Sequence, residues 1–176
     1  YESNTGIPEV LTDTSMKYSL STQINNFHIV GKASSTLNPD ISDNMIFKSR
    51  PYNYDQFNII NDVLMLPMTP TTLASFQGRI WAFEPNQFYI EDTYMSAGCI
   101  DPKALVVTEY GMFYADDSNI YHHNGSEPNP ISQAIDFGTY GWTNRDKTVV
   151  PVAVFDSSNK VVLFYFGVKD YITTNT

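Results

Sequence analysis

The sequence predicts an all-β protein made of short antiparallel strands grouped like propeller blades, too few to close a ring by themselves. Three observations lead there. Strand-forming residues are abundant, with 12 Tyr, 11 Phe and 2 Trp bringing aromatics to 14% of 176 residues. Apolar runs of strand length alternate with clusters of Asp, Asn, Ser and Gly, which is turn chemistry. Helical periodicity is nearly absent, and its one candidate, Ile131–Ile135, amounts to a single turn.

Residues 1–24 are polar with scattered apolar positions, and are expected to form an extended N-terminal arm with a short strand near Met16–Leu20. A strand is expected at Phe27–Lys32, then a polar stretch around Asn38-Pro39-Asp40, a strand at Met45–Ser49, a loop through Arg50–Asp55 and a short strand at Asp62–Leu66. Pro67 and Pro70 interrupt the chain after that strand. The strongest local signal is Phe76–Asp92, FQGRIWAFEPNQFYIED, where the runs Gly78–Phe83 and Gln87–Ile90 flank Glu84-Pro85-Asn86 and read as a hairpin.

Beyond Gly98 a meander is expected: Ala104–Thr108, Met112–Ala115 and Ile120–His123, separated by Glu109-Tyr110-Gly111 and Asp116-Asp117-Ser118-Asn119 and closed by the tight-turn dipeptide Asn124-Gly125. Thr148–Phe155 and Lys160–Phe166, around Asp156-Ser157-Ser158-Asn159, read as a last hairpin. Turns near Glu84, Glu109–Gly111 and Ser157–Asn159 place units roughly 25 to 50 residues apart, a blade-like period. About three blades' worth of strands in residues 25–176 compares with the four to eight of closed propellers. An incomplete propeller, or a fragment of a larger one, is the expected architecture. The start at Tyr1, without an initiator Met, suggests a processed product or a piece of a longer polypeptide.

Composition narrows the function. Ten basic against 19 acidic residues give a net charge of −9 and a pI near 4.5. This disfavours a surface that grips nucleic acid by neutralising phosphates, and equally a polybasic membrane module. Charged residues make up only 16%, against roughly 25% in ordinary domains. Neutral Asn, Ser and Thr take their place. No apolar run approaches the roughly 18 residues that cross a bilayer.

With these residues in view, a family resemblance emerges. Phe76–Asp92 is similar to a blade of the tail-tube, nozzle and head-to-tail ring proteins of tailed bacteriophages, in which a Gly-Arg-aliphatic-Trp strand precedes a short turn and an aromatic strand with an acidic end. Gly98–Ser132, GCIDPKALVVTEYGMFYADDSNIYHHNGSEPNPIS, resembles the next blade, and Asn44–Phe57 the segment before. The resemblance covers about residues 25–166. It implies a virion structural component of the tail nozzle or ring, around the channel for genome ejection. It also implies a homo-oligomeric ring, expected to be a hexamer, that contacts portal, adaptor or other tail proteins and has no catalysis, cofactor or metal.

The chemistry-bearing residues have plain structural readings. His122 and His123 are adjacent in a strand and point to opposite faces, so they cannot share a metal without a bulge. His28 reads as a satisfied core histidine, and Cys99, the only cysteine, as a small buried hydrophobe. Asp116-Asp117-Ser118-Asn119 lacks the layout of a calcium loop and reads as a turn. Glu91, Asp92 and Asp101 supply carboxylates whose convergence as a glycosidase pair spacing cannot show. The residues expected to matter are structural: Gly78, Arg79, Trp81, Gly111, Phe113, Asn124 and Gly125, with Arg79 pairing an acidic neighbour. The alternative function is a carbohydrate-binding β-domain, a receptor-binding or lectin-like module using Trp81, Trp142, Tyr110, Tyr114 and Tyr121 as stacking platforms. A glycosidase-type propeller enzyme ranks third.

Overall fold

The computed structural model describes residues 17–35, 39–59, 61–90, 93–95, 97–134 and 141–167. These residues are all-β: small antiparallel sheets joined by turns and short 3-10 segments. The chain divides into two compact units, Tyr1–Glu84 and Pro85–Thr176.

In the first unit, β1 (Lys17–Ile24), β2 (Phe27–Ser34), β3 (Met45–Arg50) and β4 (Asn53–Phe57) form a sheet in that order, and β5 (Val63–Met65) also pairs with β3. The short strand expected near Met16–Leu20 at the end of the arm is present and runs on to Ile24. Ile24 pairs Phe27 across the two-residue turn Asn25-Asn26, and seven register pairs tie β1 to β2. The polar-looking β1 is stabilised by that pairing, with only Leu20 fully buried. Val30, Ala33, Phe47 and Phe57 form the core against this sheet.

β4 replaces part of the loop expected at Arg50–Asp55. Its sequence, NYDQF, is mostly exposed, and it is held by pairing to β3 through a bulge at Ser49/Arg50. A further hairpin joins β6 (Thr72–Phe76) to β7 (Arg79–Phe83) in full register. Its turn, Gln77-Gly78, has φ of +51° and +74°, as the two central positions of a primed hairpin turn require. Strands expected at Gly78–Phe83 and Gln87–Ile90 are present on either side of Glu84–Asn86, where one unit ends and the next begins.

The second unit starts with the paired strands β8 (Phe88–Ile90) and β9 (Thr93–Met95). It continues into the meander β10 (Leu105–Thr108), β11 (Gly111–Ala115), β12 (Ile120–His123) and β13 (Asn129–Pro130), a four-stranded antiparallel sheet in chain order. A separate two-stranded hairpin completes it, β14 (Val152–Asp156) and β15 (Val161–Tyr165). Ser132–Ala134 forms a 3-10 turn within the single helical turn expected at Ile131–Ile135.

Two hairpins of this unit, β11–β12 and β14–β15, share one turn device. Asp116 Oδ1 accepts from the backbone N–H of Ser118 and Asn119 at 2.6 and 2.7 Å. Asp156 Oδ1 does the same with Ser158 and Asn159 at 2.9 and 3.1 Å. The turns Asp-Asp-Ser-Asn and Asp-Ser-Ser-Asn stand forty positions apart, within the range of a propeller repeat. β14 and β15 therefore correspond to β11 and β12, the two inner strands of the four-stranded meander. Among the described residues their sheet has two strands, the count of half a four-stranded blade.

Candidate functional site

The meander and the β14–β15 hairpin carry most of the residues singled out in the sequence. Alternation along β11 buries Met112 and Tyr114 and leaves Phe113 partly accessible on the other face. Phe113 stacks on His122, its register partner, with centroids 4.5 Å apart and planes 19° apart. His122 Nε2 donates to the Tyr110 carbonyl at 2.9 Å. Tyr110 meets Phe155 edge-on at 6.1 Å, and Lys160 bridges to Glu109 at 2.7 Å. The ion pair lowers the Glu109 carboxyl and raises the Lys160 ammonium, but both side chains are more than half exposed, so the pair adds little stability.

Together these groups rim a groove of about 650 Å³, lined by Tyr110, Phe113, Ile120, Phe155, Phe164 and Phe166. Its walls are aromatic and aliphatic, and the charged Lys160 is already paired. Such a surface accepts apolar side chains and offers few convergent polar groups of the kind that orient a sugar.

His123 faces the opposite way, buried at 1% exposure and edge-on to Phe88 at 6.0 Å. Burial, and then the neighbouring His122, push its pKa below 6.5. Its Nδ1 accepts the Gly125 N–H at 2.9 Å, which fixes the neutral ring. The two histidines therefore serve different faces, as strand geometry requires. His28 is partly exposed rather than a core residue, with Nδ1 donating to the Tyr54 carbonyl at 3.0 Å.

The acidic turn is fully engaged. Besides its turn bonds, Asp116 accepts from the Tyr121 hydroxyl at 3.0 Å, and its carbonyl takes the Trp142 indole N–H at 2.9 Å. Asp117 Oδ1 binds Arg145 Nη2 at 2.8 Å and lies 3.4 Å from Lys147 Nζ. Burial tends to raise the Asp117 pKa, but the two cations outweigh it and leave it lowered. Arg145, only 3% exposed, lies over the Trp142 ring at 4.4 Å, and its Nε has no hydrogen-bond partner among the described residues. Sequence reasoning missed Arg145. The sequence signal is a basic residue three positions after Trp142 in an acidic chain.

The other expected residues take structural places. Trp81 and Trp142 are 4% and 3% exposed, so neither presents a ring to a ligand, and Trp81 donates to the Phe76 carbonyl at 3.1 Å. Tyr114 and Tyr121 stack at 5.5 Å inside the unit, and burial lifts both phenol pKa values. Of the proposed platforms, Tyr110 alone is half exposed. Arg79 is exposed at the start of β7. Cys99 is buried, its thiol donating to the Asp101 carbonyl at 3.2 Å. The Asp101 carboxylate caps the 3-10 turn Pro102–Ala104 through Lys103 N at 2.8 Å. Glu91 and Asp92 lie outside the described residues. Among the described residues no three His, Cys, Asp or Glu side chains cluster so as to hold a metal ion, and no helix is long and apolar enough to cross a membrane.

The chain matches no protein-family model and no curated protein.

Proposed function

We propose that this chain is a structural component of a tailed-phage tail, part of the nozzle or ring around the ejection channel, working by protein–protein assembly without catalysis. Its partners on this reading are further copies of itself and adjoining portal, adaptor or tail proteins. The observation that supports assembly is the half-blade. β14 and β15 match the inner strands of the meander, yet β15 has no strand on its far edge among the described residues. Val161–Phe166 carries no charge and no proline, the devices by which natural edge strands avoid pairing.

The face of this hairpin is equally telling. Val154, Leu163 and Tyr165 are 39–60% exposed on one side, while Phe155, Val162 and Phe164 line the groove on the other. A strand apolar on both faces is the pattern of a strand covered on both. Two strands alone are marginal in water, so completion by further strands fits the physics. The acidic surface suits a wall past which DNA must slide without sticking.

Peptide mapping by mass spectrometry of purified virions from the source tests the reading. Peptides of this chain in intact particles, in fixed ratio to other tail proteins, are expected. Recovery only from particle-free fractions would refute it.

A further inference from the structure

The turn between β12 and β13 holds the only Asn-Gly in the sequence, Asn124-Gly125, with Ser126 next to it, all three exposed. Asparagine before glycine is chemically labile, because the glycine nitrogen can attack the asparagine carboxamide with no side chain in the way. Two further groups stand at this dipeptide. His123 Nδ1 accepts the Gly125 N–H at 2.9 Å, at the nitrogen that must become the nucleophile. Ser126 Oγ and Ser126 N–H both donate to Asn124 Oδ1, at 2.7 and 3.3 Å, at the oxygen where negative charge develops.

The geometry points to Asn124 as a self-modification site, at which the fold speeds conversion of the asparagine to aspartate and isoaspartate. His123 Nδ1 takes the proton from Gly125 N, which forms a bond to Asn124 Cγ. The resulting oxyanion on Oδ1 is held by the two Ser126 donors. Collapse breaks the Cγ–Nδ2 bond, and ammonia leaves with the proton that His123 returns. Water then opens the five-membered imide at either carbonyl, giving aspartate or isoaspartate at position 124. Atoms balance with one water consumed and one ammonia released, and no oxidant or cofactor is needed. A general base must lie within hydrogen-bond reach of the proton it removes, and oxyanion donors within reach of the developing charge; both conditions hold here.

Burial supports the assignment by keeping the His123 ring neutral, with a basic lone pair at neutral pH. Gly125 adopts φ +107°, a conformation a larger residue would resist. These contacts are local to one turn and hold whether or not the chain belongs to a phage tail.

The test incubates the full chain at neutral pH and follows Asn124 by peptide mapping, reading the mass change of amide to acid and labelling isoaspartate with an isoaspartyl methyltransferase. A synthetic peptide of residues 121–130 gives the rate without the fold. The intact chain should convert about a hundredfold faster than the peptide, at the low end of what a positioned base contributes. Ser126→Ala, on the surface, should slow it severalfold, and His123→Gln should bring it to the peptide rate. Should His123→Gln fail to fold, Ser126→Ala and the peptide comparison decide alone. A chain rate at or below the peptide's, or one untouched by Ser126→Ala, overturns the assignment.

Discussion

Gly111 and Gly78 both sit at hairpin turns with positive φ, but only one of them is crowded, and the pair isolates what crowding costs. At Gly78, φ +74°, an added Cβ would meet nothing within 4 Å. Alanine there carries only the left-handed penalty of about 1 kcal/mol, partly offset by the roughly 0.4–1 kcal/mol that a less flexible unfolded chain returns. Gly78→Ala should therefore cost at most about 1 kcal/mol. At Gly111, φ +134°, the same Cβ would lie 2.5 Å from the His123 carbonyl oxygen and 2.9 Å from His122 Nε2. The carbonyl is backbone within the β11–β12 ladder and cannot swing aside. Conformational strain of about 1–3 kcal/mol then adds to a steric displacement, for a total near 2–4 kcal/mol. Urea unfolding tracked by tryptophan fluorescence reads both variants, since Trp81 lies in the first unit and Trp142 in the second. Equal losses for the two variants, or a Gly111→Ala loss below about 0.5 kcal/mol, would refute the reasoning that backbone approach fixes this glycine.

The charged and apolar groups of the second unit give further outcomes. Asp117→Asn leaves the buried Arg145 guanidinium without its carboxylate. With the Asp117 side chain 45% exposed, the cost should be about 1–3 kcal/mol in chemical denaturation, below the roughly 3–5 kcal/mol of a fully buried pair. Because the folded chain holds the Asp117 pKa below 3.8, its contribution is complete above that pH and fades as pH falls through the lowered value, an acid loss that Asp117→Asn should lack. His123 acts in a higher window. Its pKa is lowered from 6.5 on folding, so the unfolded chain binds the proton first, and stability should decline below about pH 6.5 by at most about 1.4 kcal/mol per unit. Thermal melts across that range, with His123→Gln as the flat control, check it. Leu163→Lys, on the exposed side of β15, should leave folding within about 0.5 kcal/mol while abolishing self-association in light scattering; unchanged assembly would count against the half-blade as a contact surface.

Much of the second unit was legible from local chemistry. Leu105–Thr108, Met112–Ala115 and Ile120–His123 are apolar runs closed by Asp, Asn, Ser and Gly, so strand and turn signals agree at every step. β6 and β4 were not legible. Thr72–Phe76 is small and mixed, and Asn53–Phe57 is polar; each becomes a strand because a neighbour of matching register supplies its hydrogen bonds. Arg145 escaped notice because its significance lies in contacts with Asp117 and Trp142, the latter three residues before it and the former 28. His122 and His123 were separated correctly by strand alternation alone, whereas the base-like placement of His123 against Gly125 depends on the conformation of the turn.

By itself, the sequence determined the all-β class, the positions of the tight turns, the acidic balance and the absence of an apolar run long enough to span a bilayer. These are properties of single residues and near neighbours, which propensity, turn chemistry and charge counts report directly. Tertiary structure alone decided the division into two units, the pairing that turns polar segments into strands, and the burial of both tryptophans. Those outcomes depend on which distant segments meet, and the free energy of such a meeting belongs to the pair and is written in neither segment.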